Sequence, residues 1–160
     1  MSARPLPAMR SLYQELILDH HRRPRHHGSL DGEHLAVHKL NPTCGDEITL
    51  HLRIDDDRIV DGRFGGQGCS ISQASASMML SRLIGRSTEE AHAMAARFRE
   101  MLHGNEEAAS DPVLGDLRAL AGVAMYPPRV RCAMLAWVAF EEISPAPGKD
   151  DGRSSTTSGG

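Results

Sequence analysis

The sequence predicts an α+β fold, in which a small antiparallel three-stranded sheet packs against several α-helices. Two observations predict it. Segments with strand-like periodicity are confined to residues 34–64, and from Ser70 onwards apolar residues recur with the period of an α-helix. The chain has 160 residues and 40% hydrophobic content, which fits a single domain with one core. We assign that domain to residues 1–144.

The strands are predicted from alternation and from a turn. Residues 48–54 read Ile-Thr-Leu-His-Leu-Arg-Ile, which is typical of a half-buried strand, and His51 falls on the face towards solvent. The acidic run at 55–57 is a polar turn, so residues 59–64 are expected to return as the second strand of a hairpin. Residues 34–40 are expected to form the third strand.

Helices are predicted on both sides of this segment. The first has an apolar face that begins at Leu12, and Pro24 must end it. The second begins at Ser70 and stops at Gly85, and the Ser-Thr-Glu-Glu run from residue 87 has the spacing of a capping box. Later helices are expected at 88–102, 112–122 and 129–142. Met78 and Met79 of the second helix and Met134 and Trp137 of the last are predicted core residues. The segment 145–160 is dominated by Pro, Gly, Ser, Thr and charged residues and is predicted to be a disordered tail.

Composition and charge exclude several classes of function. A net charge of −3 gives no reason to expect nucleic acid or a membrane surface as a partner. The longest apolar run, Cys132–Phe140, is nine residues, about half of the roughly 18 that a membrane span needs. Glu15 and Asp19 interrupt the segment that would have to be the apolar part of a signal peptide. We therefore expect a cytoplasmic protein.

The three cysteines are the residues of most interest for function. Cys44, Cys69 and Cys132 supply three sulfurs, and Asp46 adds one oxygen, which together make a complete tetrahedral ligand set for zinc. Three cysteines cannot all pair in disulfides, which favours a reducing compartment. Free cysteines are also among the most often buried residues, so three core residues are an alternative. The glycines beside Cys44 and Cys69 argue against that alternative, because loop glycines occur where backbone approaches something closely.

The predicted elements place the cysteines at the ends of secondary structure. Cys44 lies in the loop that enters the hairpin, Cys69 lies where a strand gives way to a helix, and Cys132 opens the last helix. A helix N-terminus favours a thiolate over a thiol. Arg129 and Arg131 would offset part of the negative charge of such a site. The 24 and 62 residues between successive cysteines match no zinc-finger spacing.

Four motifs make the chain resemble a known family. They are an Asp-His…Pro-Arg…Gly pattern at 19–28 and three cysteine boxes, NPTCGD at 41–46, FGGQGCSIS at 64–72 and YPPRVRC at 126–132. In these motifs the chain resembles the IscU-like iron–sulfur assembly proteins, the NifU N-terminal family, from Leu12 to Glu142. The resemblance implies the IscU-like α+β fold. It maps the metal ligands of the family onto Cys44, Asp46, Cys69 and Cys132.

Two departures from the IscU scaffolds point to one group within this family. Those scaffolds carry a histidine before the third cysteine, where this chain has Arg131, and a guanidinium cannot ligate iron or zinc. The interval between Cys69 and Cys132 is also longer than in IscU. Both features resemble the SufU group, which implies a zinc-dependent sulfurtransferase. Its implied partners are a pyridoxal-phosphate cysteine desulfurase of the SufS type, which passes persulfide sulfur to Cys44, and a downstream iron–sulfur scaffold.

Other functions stay open at this point. The cysteine boxes also fit an IscU-type scaffold that holds a transient iron–sulfur cluster, and a structural zinc domain is a third class. The stretch 20–27 has two histidines on each side of its arginines. It could hold a second metal, place cations at the end of the first helix, or dock a partner.

Overall fold

The computed structural model describes residues 7–42 and 44–145. Within them the order is helix α1 (Pro7–Arg22), strands β1 (Leu35–Asn41), β2 (Asp46–Asp55) and β3 (Arg58–Gln67), helices α2 (Ser70–Leu83), α3 (Thr88–Leu102) and α4 (Glu106–Ala109), a 3-10 segment (Pro112–Met125), and helix α5 (Pro127–Ile143). The predicted α+β class with a three-stranded sheet is confirmed. The single domain at 1–144 and the disordered tail at 145–160 stay predictions, because residues 1–6 and 146–160 lie outside the described residues.

The sheet is antiparallel and has the order β1-β2-β3, as the alternation predicts. The β2–β3 hairpin turns at Asp56 and Asp57, which both have left-handed backbone (φ 56° and 61°). Aspartate tolerates this conformation better than most residues, and two-residue hairpin turns require it. The inner face of β2 carries fully buried side chains, namely Ile48, Leu50 and Leu52.

The outer face of the sheet differs from the prediction at His51. The ring lies on the outer face as predicted, but it is half-buried because His34 lies against it, with His34 Nε2 3.0 Å from His51 Nδ1. Burial and the neighbouring His34 both lower the pKa of His51. The alternation of β2 cannot indicate this contact, since His34 lies outside that strand.

Helix α2 is the centre of the helical layer and contacts α1, α5 and the 3-10 segment. It is therefore buried on nearly every side, and Met78 and Met79 are part of the core. On α5, Met134 is also buried, and the fully buried Trp137 stacks on Phe98 at a ring-centroid distance of 4.8 Å. The core positions predicted for these methionines and the tryptophan are confirmed.

Several helix ends follow the predicted signals. Gly85, with φ 95°, stands just after α2, and Ser87 and Glu90 make both hydrogen bonds of a capping box at the start of α3. Helix α4 is not predicted, because its four residues are too few to show a period. Among the described residues, none of the helices is long and apolar enough to cross a membrane.

The helix predicted at 112–122 is instead a 3-10 segment. Its backbone is not helical at Gly115, where φ is 54° and ψ is −130°. A positive φ of this kind is strained for residues that carry a side chain, so the bend needs a glycine. Apolar spacing over so short a stretch does not distinguish the two helix types, which is why the predicted type is wrong.

The last helix begins earlier than the predicted residue 129. Its first residue is Pro127, and proline fits the first helical turn because its missing N–H would have no partner there. Cys132 therefore lies in the second turn, and the prediction that it opens the helix is wrong. Its surroundings are set by burial and not by the free N–H groups of a helix start.

Candidate metal centre

Cys44 is exposed and lies in the short loop between β1 and β2. The carbonyl oxygen of Asn41 accepts the N–H of Cys44 at 3.2 Å and that of Gly45 at 2.7 Å, which closes the loop into a tight turn. Gly45 has left-handed backbone (φ 75°), which glycine adopts without steric cost. The loop thus holds Cys44 through its backbone and leaves its side chain open to solvent.

Asp46 is the first residue of β2, and only 1% of its surface is exposed. Its Oδ1 accepts the backbone N–H of Cys69 at 2.9 Å, and its Oδ2 lies 4.0 Å from Cys69 Sγ. Gly68 makes this approach possible, because a Cβ at that position would lie 2.5 Å from Asp46 Oδ1. One carboxylate oxygen is therefore fixed by the backbone, and the second is available to a cation.

Cys132 is the buried sulfur of the site, with 1% of the residue exposed. Its Sγ lies 3.4 Å from Cys44 Sγ and 3.7 Å from Asn41 Nδ2. Burial raises the pKa of the Cys132 thiol, and the neighbouring Asp46 and Cys44 raise it further. Such a thiol loses its proton only when a positive charge comes close. The thiols of Cys132 and Cys44 and the carboxylate of Asp46 therefore fit a bound metal cation.

Three of the four predicted ligands form one group. Donor atoms of Cys44, Asp46 and Cys132 all lie within 4.8 Å of one another. Cys69 is not a member of this group, although its N–H holds Asp46 and its sulfur lies beside that carboxylate. Sulfur and carboxylate donors are ligand types that zinc accepts. In the part of the chain that the structure describes, no other group of three His, Cys, Asp or Glu side chains meets in this way.

Cys69 is half-buried and stands directly before α2, as its position between a strand and a helix predicts. Its backbone is extended (φ −72°, ψ 170°), and its carbonyl accepts the N–H of Gln73 at 3.2 Å. Its side chain makes no capping hydrogen bond to the helix. The Cys69 sulfur is therefore a candidate for the fourth ligand position.

The histidine- and arginine-rich stretch after α1 has structural contacts. His20 is buried, and its Nδ1 lies 2.7 Å from Ser77 Oγ, which also accepts the N–H of Arg25 at 2.8 Å. Burial lowers the pKa of His20. Arg25 and Arg23 each bind Asp19 at 2.7 Å and lower its pKa to about 2. These contacts attach the end of α1 to α2, and no second metal site forms among the described residues.

The sequence alone predicts no individual role for two residues that shape the site. Asn41 contacts both the Cys44 loop and Cys132, and Gly68 gives Asp46 its room. Both stand inside the cysteine boxes, so the boxes are the signal that could have found them. Their individual roles depend on distances between segments, which no local pattern contains.

An apolar groove of about 800 Å³ reaches Ser70, the residue after Cys69, and Arg129, which precedes Cys132 on α5. It lies between α1, the first turn of α2 and the end of the 3-10 segment, and its lining includes Tyr13, Ile17, Ile71, Val123, Tyr126 and Arg129. At its edge Met125 and Tyr126 are 64% and 60% exposed. The surface next to the candidate site is thus more apolar than a net charge of −3 suggests.

Residues 12–133 match the family model of the NifU-like N-terminal domain. The chain belongs to this family. It is 49% identical over 137 residues to the iron–sulfur cluster assembly scaffold protein IscU of Streptococcus pyogenes serotype M1, a match that covers 86% of this chain and 85% of the relative. It is 44% identical over 133 residues to the zinc-dependent sulfurtransferase SufU of Bacillus subtilis strain 168, with 82% of this chain and 88% of the relative covered.

A solved structure supports the same assignment. The crystal structure of FiSufU, a SUF-system protein from Fervidobacterium islandicum AW-1, superimposes on this family member with a TM-score of 0.75 at 36% sequence identity. The match covers 83% of this chain and 96% of FiSufU. The resemblance inferred from the cysteine boxes is therefore confirmed at the level of family and fold.

Proposed function

We propose that this protein is a zinc-dependent sulfurtransferase that accepts persulfide sulfur from a cysteine desulfurase during iron–sulfur cluster assembly. One observation carries the proposal: the sulfur of Cys44, an exposed residue, lies 3.4 Å from the sulfur of the buried Cys132, in one group with the buried Asp46. Such a site has one thiol that a partner can reach and others that hold a metal. The similarity to the zinc-dependent sulfurtransferase SufU of Bacillus subtilis supports the activity.

Cys44, Asp46, Cys69 and Cys132 are the residues that we propose hold the zinc ion. When bound there, zinc would keep the thiols deprotonated near neutral pH and protect them from oxidation. The carboxylate of Asp46 has a fixed orientation in this set, because the N–H of Cys69 donates a hydrogen bond to one of its oxygens at 2.9 Å. The same hydrogen bond ties the loop of Cys44 to the segment of Cys69, although the two are far apart in sequence.

The transfer step uses Cys44 as the nucleophile. Its thiolate attacks the terminal sulfur of the persulfide on the desulfurase cysteine. A new S–S bond forms on Cys44, the S–S bond of the donor persulfide breaks, and the donor cysteine leaves as a thiolate with the electron pair. No oxidant or reductant is needed, because one S–S bond replaces another.

The proposed donor is a pyridoxal-phosphate desulfurase of the SufS type, and the proposed receiver is a downstream iron–sulfur scaffold. Because Cys44 is exposed on a turn, the donor must bring its persulfide to this turn. Transfer to the receiver is the same kind of exchange with Cys44 as the donor: a thiolate of the receiver attacks the terminal sulfur, the S–S bond on Cys44 breaks, and Cys44 leaves as a thiolate.

A second candidate function is an assembly scaffold that holds a transient iron–sulfur cluster. The observation that favours it is the relative at 49% identity, which carries the name of an IscU scaffold. Against it stands Arg131, an exposed arginine directly before Cys132 that offers no metal ligand. The two functions differ in the metal that they require and in their effect on the desulfurase.

Metal content and desulfurase turnover test the proposal together. Protein purified without oxygen should contain one zinc per chain, and its addition to a SufS-type desulfurase should raise the turnover of cysteine. Mass spectrometry should then find the added sulfur on Cys44. Iron with visible absorbance, no zinc and an unchanged desulfurase rate would contradict the sulfurtransferase and favour the scaffold.

A further inference from the structure

Asn41 contacts several parts of the candidate site, although it is not itself a predicted metal ligand. It is the last residue of β1 and pairs with Asp46 across the β1–β2 ladder. Its carbonyl oxygen accepts the N–H groups of Cys44 and Gly45, at 3.2 and 2.7 Å. Its side-chain amide donates to Cys132 Sγ at 3.7 Å, and only 4% of the residue is exposed. The main chain and the side chain of Asn41 thus serve different cysteines.

The two sulfurs differ as a result in their hydrogen bonding. Cys132 Sγ has an amide donor, whereas among the described residues the one hydrogen-bond partner of Cys44 Sγ is the Cys132 thiol. An N–H donor withdraws electron density from a thiolate, which stabilises it and makes it less nucleophilic. The amide therefore favours Cys132 as the sulfur that stays and leaves Cys44 as the more reactive one.

We infer that Asn41 is a positioning residue that assigns the two sulfurs their separate tasks. Its backbone holds the Cys44 loop in place without lowering the nucleophilicity of the Cys44 sulfur. Its side-chain amide donates a hydrogen bond to the Cys132 sulfur and stabilises it as a metal ligand. The inference rests on the proposed function, because it assumes a metal at the site and transfer through Cys44. Asn41 acts through Cys132 and does not touch the transferred sulfur.

Cadmium-113 in place of zinc tests the contact in the unaltered protein. A hydrogen bond from an amide N–H to a metal-bound sulfur transmits a scalar coupling between the amide proton and the cadmium nucleus. The side-chain amide of Asn41 should show this coupling. Loaded protein in which this amide shows no coupling would overturn the inference. A chain that takes up neither zinc nor cadmium would instead overturn the proposed function itself, and the two failures are therefore distinct.

Substitution tests the consequence for the metal. Asn41→Leu keeps the shape of the side chain and the backbone carbonyl but removes the donor. The charge-transfer absorption of the cobalt(II) form should move to longer wavelength, because the anchored sulfur becomes more electron-rich. Zinc release to a chelator should become about tenfold faster, because one hydrogen bond to a charged acceptor stabilises the bound state by about that factor.

The matched control is Asn105→Leu. Asn105 also loses one hydrogen bond, from the N–H of Ala108 at 3.0 Å, but it caps α4, which carries none of the site residues. This control should lower stability and leave both the cobalt spectrum and the zinc release rate unchanged. Equal effects of the two variants, or an unshifted spectrum in folded, metal-loaded Asn41→Leu, would contradict a specific role. If Asn41→Leu does not fold, the cadmium experiment on the unaltered protein decides.

Discussion

The two ends of the site, one built on Cys44 and the other on Cys132, are 3.4 Å apart at their sulfurs but belong to very different parts of the molecule. Cys44 is exposed on a turn between two strands. Cys132 is buried in α5, a helix of 17 residues. This difference indicates which of the two sulfurs can move without disrupting the fold.

Approximate energies support this view. Displacing α5 would disturb Trp137 and Phe140, which are fully buried, and the loss of one such aromatic side chain costs about 3–5 kcal/mol. Displacing Cys44 breaks two backbone hydrogen bonds to Asn41, each worth about 1 kcal/mol. The Cys44 end is therefore suited to exchange with a partner, and the Cys132 end to retention of a metal.

Cys44→Ser should have the largest effect on activity and a small one on the fold. Persulfide transfer from the desulfurase should fall to background, because a hydroxyl is far less nucleophilic than a thiolate. The measurement is mass spectrometry after incubation with desulfurase and free cysteine. Wild-type transfer by this variant would rule out a relay through Cys44, as would sulfur found only on Cys69 or Cys132 of the unaltered protein.

Cys132→Ala tests the opposite end and should act on metal binding and stability. A metal present at a thousandfold excess over its Kd stabilises the folded state by about 4 kcal/mol, so a chelator should lower the Tm of the unaltered protein. Cys132→Ala should melt at the same temperature with and without chelator. Cys69→Ala should behave likewise if Cys69 is the fourth ligand, and a chelator response like that of the unaltered protein would remove Cys69 from the set.

Gly68→Ala should give an intermediate effect, because it disturbs the carboxylate between the two ends. The added Cβ would lie 2.5 Å from Asp46 Oδ1 and 2.6 Å from Ser72 Oγ, so the carboxylate must shift from the N–H of Cys69. We expect a loss of about 1–3 kcal/mol in the free energy of unfolding, as for other overpacked sites, and weaker zinc retention.

The control for this variant is Gly65→Ala, three residues earlier, in β3. There the nearest atom to the new Cβ is the Gly28 carbonyl oxygen at 3.9 Å, which is ordinary contact. Chemical denaturation and zinc titration of both variants make the comparison. Equal stability and equal zinc affinity of the two variants would show that the approach of Asp46 to Gly68 does not limit the site.

The comparison also explains how much could be predicted from the sequence. The fold class follows from local patterns, since the alternation at 48–54 and the apolar period after Ser70 each reflect one buried face. The ligand types at Cys44 and Asp46 follow from their common motif. The Cys44 end of the site can thus be predicted from the sequence, because its residues are neighbours along the chain.

The contacts at the Cys132 end cannot be predicted in the same way. The burial of Cys132 and its contact with Asn41 join residues 91 positions apart, and the pair of His20 with Ser77 spans 57. Such contacts arise from the packing of whole helices and leave no mark in local periodicity. The predicted start of α5 is two residues late for a related reason: the apolar run that begins at Cys132 marks the buried part of the helix and not its first turn.

Arg131→His should have the smallest effect. It tests whether the residue directly before Cys132 selects between sulfur transfer and cluster assembly. Histidine can ligate a metal and arginine cannot. The variant should therefore hold more reconstituted iron–sulfur cluster, measured by visible absorbance, and stimulate the desulfurase less. The control is Arg129→His, which removes the same charge but lies about 200° away around the helix. A gain in cluster that both variants share would be an effect of charge, and no change in either assay would show that position 131 does not set the function. We expect a partial conversion only, because the neighbouring groups that tune the site, Asn41 among them, are unaltered.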